Sequence, residues 1–195
     1  MNNLGRTKTW VTTALLAATI LVLQTVAAGI KIGPFTPTFS LIPIIMGAIL
    51  YGPVVGGILG LVFGVIVFAN VLAGVEPLSA MMFAYNPVMT GFTCIFKGVM
   101  AGVIPALIYS ALKNKNETIA TMCAAVSAPI ANTGIFSLLF ITVFYPVAEE
   151  FAGIAGFSSA GKLLIVGVIG ANFLFELALN LVLAPVVQRI VKAVR

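Results

Sequence analysis

Two ionisable side chains lie inside long apolar stretches of the sequence: Lys97 near the start of one stretch and Glu176 deep in another. If these stretches cross a membrane, a charge without a partner is costly there, so such residues often serve function. Lys97 could be the counter-charge of an anionic substrate, could extend to the membrane surface, or could pair with Glu176. For Glu176 we expect a neutral side chain or that ion pair rather than direct substrate contact.

Asparagines and aromatic residues form the second group of candidate binding residues. The side chains of Asn132 and Asn172 could hydrogen-bond a ligand or could join neighbouring helices. Asn86 precedes a proline and could line a pocket or cap a helix. Aromatic residues close to the same end of the predicted helices could form pocket walls: Phe35, Phe39, Phe83, Tyr85 and Phe92.

The sequence lacks the groups that most enzymes need. It contains no histidine and no aspartate, which excludes a serine-protease triad and the usual metal sites. The pair Glu149-Glu150 is similar to the paired glutamates of some intramembrane proteases, but those enzymes also need histidines. A nucleotide-binding loop of the GxxxxGK[ST] type is absent too, so the chain cannot drive ATP-powered transport by itself. We therefore expect a non-catalytic protein with no metal and no cofactor.

Composition indicates a membrane protein. Of 195 residues, 61% are hydrophobic and only 8% are charged, and the mean hydropathy is +1.19. No ordinary soluble domain is so poor in charge, so we predict an all-α integral membrane protein with one domain over 1–195. The net charge of +5 does not indicate nucleic-acid binding, because the basic residues lie scattered at helix ends and form no patch with aromatic residues.

The apolar stretches predict a compact bundle of six transmembrane helices. Their approximate ranges are 10–29, 39–50, 53–70, 91–112, 118–144 and 161–190. The second helix has about 12 residues, fewer than the roughly 20 that span the hydrocarbon region. We expect loops over 31–38, 71–90 and 145–160, and we expect 71–90 to be irregular.

The distribution of basic residues predicts how the helices are oriented. With the N-terminus inside, the outer ends of the helices hold only two basic residues, Lys31 and Lys162. Seven basic residues lie at the inner ends: Arg6, Lys8, Lys113, Lys115, Arg189, Lys192 and Arg195. This bias follows the positive-inside rule and predicts that both termini are cytoplasmic. The longer loops then lie outside, where we expect a small molecule to bind.

Two patterns of small residues predict close helix contacts. One is a run of glycines spaced four residues apart: Gly52, Gly56, Gly60 and Gly64. In a helix these glycines share one face, where the backbone of another helix can approach. The other pattern is the pair Ala14 and Ala18, which leaves a shallow groove on the first helix. Such pairs usually serve packing inside the bundle, although another helix can also dock there.

Several of these features together resemble the S components of energy-coupling factor (ECF) transporters, the substrate-binding membrane subunits of vitamin uptake systems. The most specific part is the segment PTFSLIP (37–43) followed by YGPVVGGILG (51–60). Six predicted helices in a chain of 195 residues and the pair Ala14 and Ala18 support the resemblance. It covers most of the chain.

The resemblance implies a protein of the bacterial plasma membrane that binds a vitamin in an outward-facing pocket. The outer halves of helices 4 to 6 and the loops after helices 1, 3 and 5 form such pockets. It also implies docking, through Ala14 and Ala18, on a scaffold membrane subunit that carries two ATPase subunits. Within the riboflavin, folate and pantothenate branch, pantothenate suits one buried lysine and a few asparagines. The alternatives are riboflavin, folate or cobalamin in the same role, or a carrier that transports without partners.

Overall fold

The computed structural model describes residues 3–29 and 38–194, and the described residues form eight helices and no strand. In chain order they are α1 (Asn3–Ala28), α2 (Leu41–Tyr51), α3 (Pro53–Leu72), α4 (Pro77–Tyr85), α5 (Pro87–Leu112), α6 (Glu117–Thr142), α7 (Tyr145–Ile154) and α8 (Ala160–Val194). The part of α8 over Leu163–Phe173 is wound as a π-helix. Most of the predicted first loop, with Lys31 and Phe35, lies outside the described residues, as does Arg195.

Five of these helices are long and apolar enough to cross a membrane, namely α1, α3, α5, α6 and α8. The sequence predicts a sixth crossing at α2, but α2 has only 11 residues. At 1.5 Å per residue it extends about 16 Å, roughly half the hydrocarbon thickness. Leu41, Ile44 and Ile45 of α2 are at most 1% exposed, and α2 packs against all five long helices. It is thus a short, central element of the bundle.

Two connections that the sequence predicts to be loops contain helices instead. The prediction of an irregular connection over 71–90 is wrong, because α4 lies within it and α5 begins at Pro87 rather than near Gly91. The loop over 145–160 likewise contains α7. Each of these helices has a proline in its first turn, where the missing N–H costs no helical hydrogen bond.

The buried side chains of the described residues form two apolar clusters. The larger one joins α1, α2, α3, α5, α6 and α8, and includes Ile20, Leu59, Phe63 and Tyr109. The smaller one packs α4 and α7 against α6 and α8, and includes Met82, Phe140, Phe144, Phe151 and Leu163. Helices α4 and α7 therefore cover one end of the bundle through a second apolar cluster.

Helices α3 and α5 contact each other backbone to backbone. Gly56 faces Gly102 and Gly60 faces Gly98, and a Cβ atom added to any of these four glycines would overlap the opposite carbonyl oxygen. Such contact is possible only where both helices lack side chains. The pair therefore has almost no freedom to shift without losing its packing.

The remaining glycines of the predicted face behave differently from one another. Gly64 continues the contact, since a Cβ atom there would lie 2.7 Å from the carbonyl oxygen of Cys94. Gly52 does not pack against a helix. It forms the turn between α2 and α3 with a φ of +85°, a conformation that glycine adopts without strain, and nothing lies within 4 Å of a Cβ atom there.

Candidate functional site

A polar cavity lies between the two apolar clusters. It encloses about 90 Å³, which is room for a few water molecules. Its polar lining residues are Gln24, Thr38, Glu76, Ser79, Thr90, Thr93, Lys97, Asn132, Thr133 and Asn172. Its apolar lining residues are Phe63, Val67, Val71, Leu78, Met82, Cys94, Phe136 and Val168. A cavity with this many polar side chains inside an apolar bundle is suited to a small polar ligand.

One face of α5 supplies four of the lining residues. Thr90, Thr93, Cys94 and Lys97 are spaced three and four residues apart, so they lie on one side of the helix. The hydroxyls of Thr90 and Thr93 donate to the backbone carbonyls of residues 86 and 89, at 2.9 and 2.7 Å. Their oxygen lone pairs remain available as acceptors. The spacing of these four residues is evident in the sequence, but only Lys97 stands out there as unusual for an apolar helix.

The Lys97 ammonium faces the cavity and forms no direct ion pair among the described residues. Lys97 lies ten residues after the start of α5 at Pro87, a depth of about 15 Å along the helix. Its Nζ lies 5.1 Å from the centroid of the Phe136 ring, a cation–π contact that compensates for part of the lost hydration. In the part of the chain that the structure describes, no ion pair joins Lys97 to Glu176. The two charges still interact electrostatically at longer range, so the expected pairing is not seen as a direct contact.

Glu176 is the centre of a buried polar network behind the cavity. Its side chain is 0% exposed. The carboxylate accepts hydrogen bonds from Asn172 Nδ2 at 3.3 Å and from Thr133 Oγ1 at 3.4 Å. The side chains of Thr38 and Asn132 also lie close to it. Two hydrogen-bond donors and two further polar side chains thus surround one carboxylate, and all four line the cavity.

Two acceptor atoms in the cavity wall have no partner in the described structure. They are the side-chain carbonyl oxygens of Asn132 and Asn172, both buried from solvent. Unpaired buried acceptors are uncommon in native proteins. Both oxygens have almost no accessible surface, so the two side chains line the cavity without exposing these acceptors to it.

Glu76 is a lining residue that the sequence analysis did not select. It is half-buried just before α4, and its Oε2 accepts a hydrogen bond from Ser79 Oγ at 3.1 Å. Since 71–90 was expected to be irregular, nothing in the sequence placed this carboxylate beside the other helices. Recognition of α4, through Pro77 at its start, would have indicated it.

Several predicted binding residues lie outside the cavity lining. The Asn86 side chain caps α5 by accepting a hydrogen bond from the backbone N–H of Met89 at 3.0 Å. The aromatic residues predicted as walls make ring contacts elsewhere: Phe39 with Phe175, Phe83 with Phe68, Tyr85 with Phe144 and Phe92 with Phe96. Tyr85 and Phe92 are about half exposed, at 53% and 49%. Of the predicted binding residues, Lys97, Asn132 and Asn172 are the ones that the structure brings together.

The predicted docking pair lies on the outer surface of the bundle. Ala14 and Ala18 are both exposed on α1. Ala18 also borders a wide apolar groove between α1 and α3, together with Ala17, Leu21, Leu61, Val62, Val65 and Ile66. The small side chains therefore do not pack inside the described bundle, and they leave an open apolar face.

A bundle of membrane-capable helices around a polar cavity defines an integral membrane protein with room for a small polar molecule. A family model for the substrate-specific component of ECF transporters matches residues 8–188, so this chain belongs to that family. It is a substrate-specific subunit of a membrane transporter, of a kind that is generally non-catalytic. No curated protein matches the chain.

Proposed function

We propose that this subunit binds pantothenate in the polar cavity and delivers it to an ATP-driven uptake complex. The observation that carries the proposal is the Lys97 ammonium, which faces the cavity and forms no direct ion pair in the described structure. A carboxylate ligand supplies the missing counter-charge at a depth where water is scarce. Pantothenate carries one carboxylate, which suits one lysine.

The rest of the cavity suits the remaining groups of pantothenate. Its hydroxyls and amide N–H are donors, and the side chains of Asn132 and Asn172, which line the cavity, can turn their acceptor oxygens toward them. The Glu76 carboxylate can accept a further hydroxyl. The gem-dimethyl group requires an apolar wall, which Phe63, Val67 and Val168 provide. Because the cavity holds only a few water molecules, the wall that carries α4 has to move outward when the ligand enters.

The charges at one end of the bundle support the proposed orientation, with six membrane segments and both termini in the cytoplasm. Lys8 near the start of α1 donates a hydrogen bond to the backbone carbonyl of Val194 near the end of α8. At the same end, Lys192 and Glu117 form an ion pair with 3.6 Å between Nζ and Oε2. The basic residues of both termini and of the α5–α6 connection thus share one end, as the positive-inside rule requires of a cytoplasmic face.

Native mass spectrometry of the purified chain against a panel of vitamins tests the proposed ligand. We expect the chain alone, with no ATPase present, to retain pantothenate from a mixture that also contains riboflavin, folate and cobalamin. Retention of a different vitamin would overturn the pantothenate assignment. If no vitamin is retained, but the chain alone moves pantothenate across a liposome membrane, it is a carrier that needs no partners and the proposed role is wrong.

We also propose that the exposed face of α1 docks on the scaffold subunit that carries two ATPases. Replacement of Ala14 or Ala18 by tryptophan is expected to prevent co-purification with the scaffold, because a bulky ring fills the shallow face that a partner helix needs. Vitamin binding by the isolated chain is expected to stay unchanged, since neither residue lines the cavity.

Thr19→Trp is the matched control for this prediction. Thr19 is also exposed on α1, but it lies about 100° around the helix from Ala18. This variant is expected to assemble normally. Normal assembly and transport by both alanine variants would show that α1 does not dock through this face.

A further inference from the structure

We propose that Glu76 limits the ligand to molecules with a single negative group, whose carboxylate contacts Lys97. At the other end of the ligand, the Glu76 carboxylate accepts a hydrogen-bond donor or a positive group and rejects a second anion. The inference rests on the proposed function, because it takes this cavity as the site for pantothenate. It gives Glu76 a role in specificity beyond the contact with a hydroxyl.

Glu76 and Lys97 place opposite charges around one small cavity. Both side chains line it, Lys97 from α5 and Glu76 from the connection between α3 and α4. Among the described residues they form no ion pair with each other, so neither charge is neutralised by direct contact. Both charges act electrostatically on the thiol of Cys94, which also lines the cavity. The Glu76 carboxylate is therefore close enough to act on a ligand in this space.

The surroundings of Glu76 leave its negative charge in place. The residue is half-buried and keeps contact with water, and carboxyl groups in contact with water are ionised at neutral pH. Its Oε2 accepts a hydrogen bond from Ser79 Oγ at 3.1 Å. Because a hydroxyl is a neutral donor, this bond orients the carboxylate without cancelling its charge.

The position of Glu76 separates it from Lys97 along the cavity. A second, smaller cavity of about 30 Å³ adjoins the first, and Glu76 and Ser79 line both of them. Lys97 lines only the larger cavity, and Asn70 lines only the smaller one. A ligand that is held by Lys97 and extends toward the smaller cavity therefore meets the Glu76 carboxylate on the way.

The two charges impose different requirements on the two ends of a ligand. A second anionic group at the end near Glu76 would be repelled by the carboxylate in a space that holds little water. A hydroxyl, an amide N–H or an ammonium group would instead donate to it. Pantothenate meets both requirements, because its hydroxyls lie at the end opposite its carboxylate. Glu76 thus provides specificity by disfavouring the wrong ligand.

Two analogues of pantothenate with nearly the same shape test the rejection of a second anion. In one the primary hydroxymethyl group is replaced by a carboxylate, and in the other by a primary carboxamide. We expect the wild-type chain to prefer the carboxamide by more than about tenfold in isothermal titration calorimetry. Glu76→Gln is expected to prefer it by less than about threefold.

The choice of variants isolates the charge of Glu76. Glutamine keeps a side-chain oxygen that can accept from Ser79, so Glu76→Gln removes the charge and preserves the hydrogen bond. Glu150→Gln is the matched control, because it removes an exposed acid on α7 that does not line the cavity. This control is expected to keep the wild-type preference for the carboxamide.

A third analogue tests the attraction of a positive group. Its primary hydroxyl is replaced by an amino group, which is protonated at neutral pH and nearly the same size as the hydroxyl. Glu76→Gln is expected to weaken the binding of this analogue by more than about tenfold relative to pantothenate, because the ammonium loses a charge-assisted hydrogen bond. If neither carbonyl analogue fits the cavity, this ratio alone decides.

The outcomes distinguish this inference from the proposed function. A merely structural role of Glu76 would weaken the binding of every ligand equally. Both ratios would then stay at their wild-type values, which would overturn the inference while the pantothenate assignment stands. If the wild-type chain binds neither pantothenate nor any analogue, the pantothenate assignment fails and the inference fails with it.

Discussion

Gly102→Ala is expected to lower the free energy of unfolding of the bundle by about 3 kcal/mol, the upper end of the usual cost of overpacking. The added methyl group would overlap the carbonyl oxygen of Gly56, which is backbone and cannot rotate away. The only relief is to separate α3 from α5, and that separation loses the contacts along the whole glycine interface. Thermal unfolding in detergent, followed by circular dichroism, measures the effect as a lower midpoint temperature.

Gly134→Ala is the matched control for this experiment. Gly134 is also a glycine within a membrane-capable helix, α6, but nothing lies within 4 Å of a Cβ atom there. Because alanine favours the helix over glycine by up to about 1 kcal/mol, this variant should be as stable as the wild type or slightly more stable. If Gly102→Ala unfolds at the same temperature as Gly134→Ala, the backbone contact between α3 and α5 does not exist.

Lys97→Ala is expected to weaken the binding of pantothenate by more than tenfold, which corresponds to at least about 1.4 kcal/mol. The substitution removes the cation that faces the cavity and leaves the ligand carboxylate without a counter-charge at membrane depth. Removal of the ammonium from the Phe136 ring also leaves that side chain free to repack. Isothermal titration calorimetry of the purified chain measures the change.

Lys162→Ala controls for a general loss of positive charge. Lys162 lies near the start of α8, is exposed, and does not line the cavity. Its removal is expected to leave the affinity within about twofold of the wild type, since exposed charges are screened by water and salt. Should Lys97→Ala fold stably and bind pantothenate with wild-type affinity, Lys97 has a structural role instead.

The long helices could be predicted from the sequence because each is an apolar run that ends in polar or turn-forming residues. The connection Lys113 to Asn116 is an example, since Asn116 caps α6 by accepting from the N–H groups of Thr118 and Ile119. Helices α4 and α7 were not predicted because they are only 9 and 10 residues long and have a proline in the first turn. A proline disrupts the interior of a helix but is favoured in its first turn. The position of a proline in the sequence does not show which of the two applies.

The glycine face of α3 was predictable, but its partner was not. The spacing of Gly56, Gly60 and Gly64 indicates a close helix contact, whereas the identity of the opposing helix depends on the fold. In retrospect, Gly98 and Gly102 on α5 carry the same spacing. The sequence therefore contained both surfaces but not the information that they meet.

The candidate site was predictable only where a residue is unusual for its surroundings. Lys97, Asn132 and Asn172 interrupt apolar helices, and all three line the cavity. Thr90 and Thr93 are ordinary in a membrane helix, so their contribution depends on which face of α5 is turned inward. The aromatic residues did not identify the site, because aromatic side chains such as Tyr85 and Phe92 are as common on a lipid-exposed surface as in a pocket wall.

The glycine interface of α3 and α5 has a consequence for how related chains can acquire new ligands. It includes Gly98, directly after Lys97, and the facing helix α3 carries Phe63, another lining residue. One wall of the cavity is thus fixed by backbone contact and cannot widen by small steps. A lineage that changes its ligand must then alter side chains or helix positions on α4, α6 and α8, while the α3–α5 wall stays the same. Variation among relatives should be concentrated on those three helices.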